Sequence, residues 1–333
     1  MQAFILERYG KQRTLLLTDI AEPEPQDDEV VIQIHAASVN VLDAKIRDGA
    51  FKFILPYRLP LVLGHDVAGV VTKLGSRVSR FKVGDEVYAR VDDFHIGTFA
   101  QSIAVKEHSL AHKPANISMV EAASLPLVTL TAWQALKERA QLTKGQHIFI
   151  QAGSGGVGTV AIQLAKYLGA SVATTTSSSN IDWVKQLGAD VVIDYKTQDI
   201  ESMLHDYDVV LHSQNEKILA KSLRVLRRGG RLISISGPPD PAFGKSSHAS
   251  FFIRWILRFL SASVRSQAKK RGVEYSFLFM RAEGTQLQAI TELVEAGHIK
   301  PVVDRVFPFE STNDALAYID SGRAKGKVVI QMQ

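Results

Sequence analysis

Cysteine is absent from all 333 residues, which excludes disulfides, thiolate metal ligands and a cysteine nucleophile together. Nowhere do about 18 apolar residues run uninterrupted, so no segment reads as a membrane-spanning helix. The opening MQAFILERYGKQ carries Glu7 and Arg8 in its short apolar run, unlike a secretory leader. Acid is missing locally as well. From Lys245 to Gly272 there is no Asp or Glu, against seven bases: Lys245, Arg254, Arg258, Arg265, Lys269, Lys270 and Arg271. Without that stretch the formal charge falls from +5 to −2, so the pI near 9.2 describes one element and not a nucleic-acid-binding surface. The remaining composition, 46% hydrophobic and 22% charged, suits an ordinary globular chain long enough for two cores. A cytoplasmic location is the expectation.

Neither an internal repeat nor a low-complexity tract interrupts the chain. Residues 1–124 are rich in short strand-like runs (VVIQIHAA, LVLGHDVAGVVTKLG, GDEVYAR, AQSIAV) separated by turn pairs such as Gly75-Ser76 and Gly84-Asp85, which predicts a compact, mainly β domain. From Leu125 the rhythm changes. IFIQ, VGTVAIQLAKYLG, SVATT, IDWVKQLG, VVI, YDVVLH, NEKILAKSLRVL and GGRLISIS alternate strand and helix patterns, which predicts βαβ units and a doubly wound parallel sheet over 125–300. The basic stretch 245–272 reads as a helical insertion in that domain. Residues 301–333 return to strand, helix and strand and are expected to rejoin the first domain.

Between IFI and the helix pattern lies QAGSGGVG, with Gly153, Gly155 and Gly158 in G-x-G-x-x-G spacing. In a βαβ unit the first glycine permits the tight turn and the second lets backbone approach a pyrophosphate. The third lets helix and strand pack closely. The free N–H groups and the positive helix end favour an anion. Units that hold NAD place an acid about 20 residues on, against the ribose 2′-OH. Here the region reads Thr174-Thr175-Thr176-Ser177-Ser178-Ser179-Asn180, and the next carboxylate, Asp182, belongs to the following helix. Hydroxyls and an amide without an acid favour NADPH, although a serine-rich loop also serves as a helix cap.

GHDVAGVVTKLGSRVSRFKVGDEVY, SLPLVTLTAWQAL, AGSGGVG and LGADVVIDY, in this order, resemble the medium-chain dehydrogenase/reductases. Within them the chain looks like the zinc-free quinone oxidoreductase branch. VNVLDAKIRDG, SISGPPDPAF, EYSFLFMR and SGRAKGKVVI resemble NADPH-dependent alkenal/one oxidoreductases and chloroplast-envelope quinone oxidoreductase homologues. The resemblance implies a GroES-like domain, a Rossmann domain, a C-terminal return and often a homodimer. Zinc-dependent relatives have a cysteine where this chain has Asn40, followed by an aspartate matching Asp43. Their glycine-histidine-glutamate motif reads Gly64-His65-Asp66, and the four-cysteine lobe is replaced by the short link YARVDDFHIG. A tetrahedral site built on His65, Asp43 and a third ligand would have no thiolate, so no metal is expected; His65 reads as a hydrogen-bonded turn residue.

The resemblance also implies site residues. Ser154, Gly155, Gly156 and Val157 match the pyrophosphate loop, and Ser177, Ser178, Ser179 and Asn180 the loop facing the 2′-phosphate, with Asn180 where some relatives have lysine. Tyr195 matches a tyrosine beside the adenosine phosphate, Arg323 an arginine approaching the cofactor, and Thr131 a threonine near it. Asn40 and Lys45 match positions lining the cleft between domains. Packing at a strand end (Tyr195), packing inside a helix (Thr131) and solvation (Arg323, Lys45) are the alternatives.

Without a metal or a relay triad, the accessible chemistry is hydride transfer to a carbon that is already electrophilic. The expectation is reduction of the C=C bond of an enal or enone, or of a quinone, with Asn40, Lys45 and backbone N–H groups as donors to the developing oxyanion. Tyr57 and Tyr88 are conceivable acids. A metal-free carbonyl or alcohol dehydrogenase is an alternative, and a non-enzymatic NADPH-binding sensor, RNA-associated or membrane-associated protein another. Two features stand apart. After the fourth strand, relatives show an acid and then a Val-Gly pair whose glycine lies close to the nicotinamide ribose; here the chain reads His212-Ser213-Gln214-Asn215, and Asn215 could substitute a side-chain contact. In SFFIRWILRFLSASVRSQAKKRG, residues Phe251, Phe252, Trp255, Ile256, Phe259 and Leu260 form a helix-period apolar face with Arg254 and Arg258 on another. That face suits a lid or dimer contact, peripheral membrane binding through 246–272, or an ordinary surface helix.

Overall fold

The computed structural model describes residues 1–52, 55–246 and 251–332, without the side chains of 244–246 and 251–253. The chain divides into two compact units: Met1–Leu130 with Arg281–Gln333, and Thr131–Met280.

In the first unit the long strand Glu29–Val39 is the hub of a seven-stranded sheet. Its N-terminal half pairs antiparallel with Ser102–Lys106, its C-terminal end with Lys327–Gln331, and the strand Asp66–Leu74 runs alongside it on the other edge. The C-terminal return is therefore physical: Lys327–Gln331 is the neighbour of Ala36–Val39, and Val303–Pro308 pairs parallel to it beyond. The helix Gly284–Glu295 also belongs here, although the strand–helix rhythm extended the second domain to residue 300. Tyr88 explains its placement, because its buried hydroxyl hydrogen-bonds the Leu287 carbonyl (3.0 Å) and the Thr291 hydroxyl (2.9 Å). Periodicity shows that a helix has an apolar face, not which sheet will cover it.

The second unit is built on six parallel strands: β1 (His147–Ile150), β2 (Ser171–Thr176), β3 (Val191–Asp194), β4 (Tyr207–His212), β5 (Leu226–Ser234) and β6 (Glu274–Phe277). They lie in the order β3-β2-β1-β4-β5-β6. Phe149, Ala173, Ile193, Val210 and Leu232, one from each of the first five strands, share a buried cluster, as expected for a sheet covered on its faces. The helices are α1 (Gly156–Tyr167), α2 (Ile181–Gln186), α3 (Ile200–Met203), α4 (Glu216–Val225), α5 (Pro241–Ser246), α6 (Phe251–Leu260) and α7 (Ala262–Arg271). Half of the basic insertion is thus integral to the fold. In α7, Val264 and Ala268 join the sheet's core, while Lys269, Lys270 and Arg271 occupy the last turn, where cations complement the helix dipole. In α6 only Leu257 is buried among the described side chains; Trp255, Ile256, Phe259 and Leu260 are exposed. Residues 247–250 and the side chains of Lys245, Phe251 and Phe252 lie outside the described residues.

Candidate functional site

The strand order reverses between β1 and β4, which are neighbours although β2 and β3 separate them in sequence. Ligands of doubly wound sheets bind outside the carboxyl ends of the strands at such a switch point. The glycine loop follows β1 and leads into α1, a 12-residue helix whose N-cap, Gly155, is extended and supplies no capping side chain. The first-turn N–H groups are therefore left for an anion. A Cβ at Gly153 would fall 2.3 Å from the Thr174 hydroxyl, and one at Gly158 would fall 2.2 Å from the Ala152 carbonyl oxygen. Packing alone demands those two glycines. A Cβ at Gly155 would meet only the Ala152 carbonyl oxygen, at 3.3 Å, so the middle of the cradle opens outward, as a pyrophosphate requires. Ser154, Gly155, Gly156 and Val157 are all partly exposed along this rim.

β2 ends at Thr176 and passes into the serine loop. Ser178 and Ser179 are exposed, and Ser177 is half-buried. Asn180 is buried: its amide donates to the Ser177 hydroxyl (3.1 Å), and its carbonyl accepts from the Trp183 indole (3.3 Å). Asn180 shapes the loop more than it faces outward. One expectation is corrected here, because the loop is not free of carboxylate. Asp194, at the end of β3, accepts a hydrogen bond from the Ser178 hydroxyl. That bond, the Lys196 backbone N–H and the Lys196 charge hold the Asp194 carboxyl below its usual range. Ser178 is thus engaged, while Ser177 and Ser179 keep hydroxyls at the rim. Tyr195 bonds the end of β2 through its backbone, to the Thr176 carbonyl, and leaves its ring 60% exposed beside the loop.

The loops after β4 and β5 are interlocked. His212 is completely buried, with Nδ1 2.9 Å from the Ser234 hydroxyl and Nε2 3.3 Å from the Asn215 carbonyl oxygen. A carbonyl can only accept, so Nε2 carries the proton and Nδ1 accepts from Ser234. Burial pushes the imidazole down to about 4, against a smaller opposing effect of the Asn215 bond, so it is neutral at pH 7. The Asn215 side chain accepts from the Ile218 N–H (3.2 Å) through its oxygen and caps α4. Thr131 is buried within the helix Pro126–Trp133.

The first unit carries a separate polar centre. Asn40, at the N-terminus of the helix Val41–Arg47, is only 5% exposed. Its amide nitrogen donates to Asp66 (2.9 Å) and to the Ser38 carbonyl (3.4 Å), while its oxygen accepts from Lys327. Asn40 is therefore a fixed member of a network, its amide nitrogen engaged by Asp66 and the Ser38 carbonyl. Asp66 is fully buried and also takes the Ser38 hydroxyl (2.7 Å), the Leu127 N–H (2.8 Å) and the Lys327 ammonium (3.3 Å). Lys327 escaped the sequence reading; only its place in GKVVI marked it, 287 residues from Asn40. His65, also fully buried, bonds Asp43 through Nδ1 (2.6 Å), as a hydrogen-bonded turn residue should, and its Nε2 has no partner. Tyr57 donates to the Asp93 carbonyl, and Tyr88 is spent on the Gly284–Glu295 helix. Burial pushes both phenols up, which removes them as ready acids. Lys45 is exposed on its helix, and Arg323 is exposed in the turn after the helix Thr312–Asp320.

Residues 26–115 match the alcohol dehydrogenase GroES-like domain family, and residues 187–330 the zinc-binding dehydrogenase family. The chain is 37% identical over 341 residues to an NADPH-dependent alkenal/one oxidoreductase of Arabidopsis thaliana, covering 99% of this chain and 79% of that protein. The chain belongs to the medium-chain dehydrogenase/reductase superfamily, in its quinone oxidoreductase branch. A 2-methylene-furan-3-one reductase of Solanum lycopersicum is 36% identical over 99% of this dehydrogenase/reductase and 79% of its own length. The quinone oxidoreductase structure from Coxiella burnetii superposes with a TM-score of 0.87 at 28% identity, covering 100% of this chain and 99% of that one.

Zinc, which the second family's description implies, does not fit the donors of this dehydrogenase/reductase. Asn40 and Asp66 are consumed by Lys327 and Ser38, and His65 offers one ring nitrogen without a thiolate beside it. Among the described residues no group of three or more His, Cys, Asp or Glu side chains is arranged to hold a metal. A nicotinamide dinucleotide does fit: Gly153, Gly155 and Gly158 shape an outward-open cradle at the helix start, and Ser177, Ser179 and Tyr195 would border its adenosine end.

Proposed function

We propose that the protein is an NADPH-dependent oxidoreductase that reduces the C=C bond of α,β-unsaturated carbonyls, or quinones, without a metal. The observation that carries this reading is the outward-open glycine cradle at the sheet's switch point, followed by a hydroxyl-rimmed adenosine loop. The relatives named for alkenal/one, furanone and quinone reduction support the substrate class.

When bound, the nicotinamide supplies a hydride. Everything else falls to the chain. The first turn of α1 neutralises the pyrophosphate, Ser177 and Ser179 donate to the 2′-phosphate, and Tyr195 offers a flat face beside them. Conjugated acceptors suit a site of this kind because arriving negative charge delocalises onto oxygen, and no hydroxyl proton has to be removed first. Lys45, exposed on its helix, is the side chain assigned to orient such an oxygen. The Asn40–Asp66–Lys327 network keeps its own helix and strand ends rigid and balances its own charge. The proposal includes a cytoplasmic homodimer; the exposed Trp255, Phe259 and Leu260 on α6 support burial against a second copy.

Turnover of NADPH with an enal and with a quinone, and of NADP+ with a simple alcohol, each followed by product analysis, tests the reading. Saturated carbonyl or hydroquinone is expected. Turnover of the alcohol alone would select the metal-free alcohol dehydrogenase instead. Light scattering on gel filtration tests the dimer, and flotation with anionic vesicles tests the alternative that α6 meets a membrane.

A further inference from the structure

We propose that His212 is a positioning residue for the nicotinamide end of the cofactor, locking the loops after β4 and β5 into one rigid polar edge. The inference rests on the dinucleotide reading above and adds a residue that touches no ligand itself, being completely buried. The loop after β4 reads Ser213-Gln214-Asn215, and it offers a well-placed edge only if its backbone is held from behind.

The structure shows it held from three sides. His212 reaches forward to the Asn215 carbonyl and across to the Ser234 hydroxyl at the end of β5. Ser234 in turn accepts from the Gly237 N–H at 2.8 Å, so one imidazole orders both loops. Ser236 closes the outer edge by donating to the Gln214 carbonyl at 2.7 Å. From the other side Gln151, itself buried, accepts the Ser213 N–H at 3.1 Å and donates to the Ser222 hydroxyl of α4. Gln214, Asn215 and Ser236 are exposed on the resulting edge, and Ser213 is half-buried. The edge sits at the carboxyl ends of β4 and β5, one strand beyond the pyrophosphate cradle, where the far half of a dinucleotide must lie once its phosphates rest on α1. Its serines, amides and backbone groups match the donors and acceptors of a carboxamide.

The experiment compares two ligands that share the adenosine, the 2′-phosphate and the pyrophosphate: NADPH, and 2′-phospho-ADP-ribose, which lacks the nicotinamide. Calorimetric titration of wild type, His212→Ala, His212→Asn and Ser236→Ala with each is paired with the emission of bound NADPH. For His212→Ala the expected result is an NADPH affinity at least tenfold weaker, an affinity for 2′-phospho-ADP-ribose within twofold of wild type, and nicotinamide emission shifted toward that of free cofactor. His212→Asn, which can both accept from Ser234 and donate to the carbonyl, restores most of the loss. Ser236→Ala, far from the core, shows the same selectivity at about threefold and serves if His212→Ala does not fold. Equal weakening of both ligands, or of neither, in the folded variants overturns the proposal. Wild type that binds neither ligand defeats the dinucleotide reading and the inference with it.

Discussion

Burial of His212 has a consequence for stability that can be worked through. Above pH 6.5 the imidazole is neutral in both the folded and the unfolded chain, so it contributes no pH dependence. Between pH 6.5 and about 4 the unfolded chain accepts a proton that the folded chain refuses, because burial holds the folded group down to about 4. Stability therefore falls with pH across that window, by about 1.4 kcal/mol for each pH unit. The accumulated loss is about 3 kcal/mol by pH 4, after which this group adds nothing further. A loss of that size is a large share of the 5–15 kcal/mol typical of a folded domain. Urea unfolding followed through Trp183, in the same unit, at pH 7, 6, 5 and 4.5 measures it for wild type and His212→Asn. Other titrating groups act in both proteins and cancel in the difference. The two proteins should diverge in slope only below pH 6.5, wild type losing stability faster. Parallel loss throughout would refute the reasoning, since it would mean that the folded imidazole protonates as readily as the unfolded one.

Three further outcomes follow from the geometry. Lys327→Met leaves Asp66 buried without its ammonium and should cost about 3–5 kcal/mol in urea unfolding, while Lys327→Met with Asp66→Asn recovers most of it; an unchanged midpoint in the single variant contradicts the network. Gly155→Ala should fold normally, its Cβ meeting only one atom at 3.3 Å, yet bind NADPH at least tenfold more weakly, whereas Gly158→Ala, at 2.2 Å from a carbonyl oxygen, should fail to fold well; circular dichroism and titration separate the two. Ser179→Arg places a guanidinium on the exposed serine loop and should raise preference for NADPH over NADH by about tenfold through a charge-assisted phosphate contact; an unchanged ratio of affinities would remove the loop from 2′-phosphate recognition.

What could be read directly from the amino-acid order was whatever is encoded in short windows. The G-x-G-x-x-G spacing, each strand or helix pattern in the alternation after Leu125, the serine run after β2 and the apolar face of α6 occupy fewer than about 20 residues apiece, the range over which backbone periodicity and turn chemistry act. Lys327 and Asp66 are different. Each looks like an ordinary charged residue, and only the pairing of the last strand with Ala36–Val39 brings the ammonium to Asn40 and makes both groups buried and mutually dependent. The same applies to Asp194, which looked remote from Ser178 until parallel pairing of β2 with β3 aligned their ends, and to Gly284–Glu295, whose apolar face did not announce which sheet it covers. Local sequence sets what a segment can become because its dihedral and hydrogen-bonding preferences are local. Burial and charge pairing are set by partners tens to hundreds of residues away, so the chemistry of Asn40, Lys327 and His212 was decided only once the sheets closed around them.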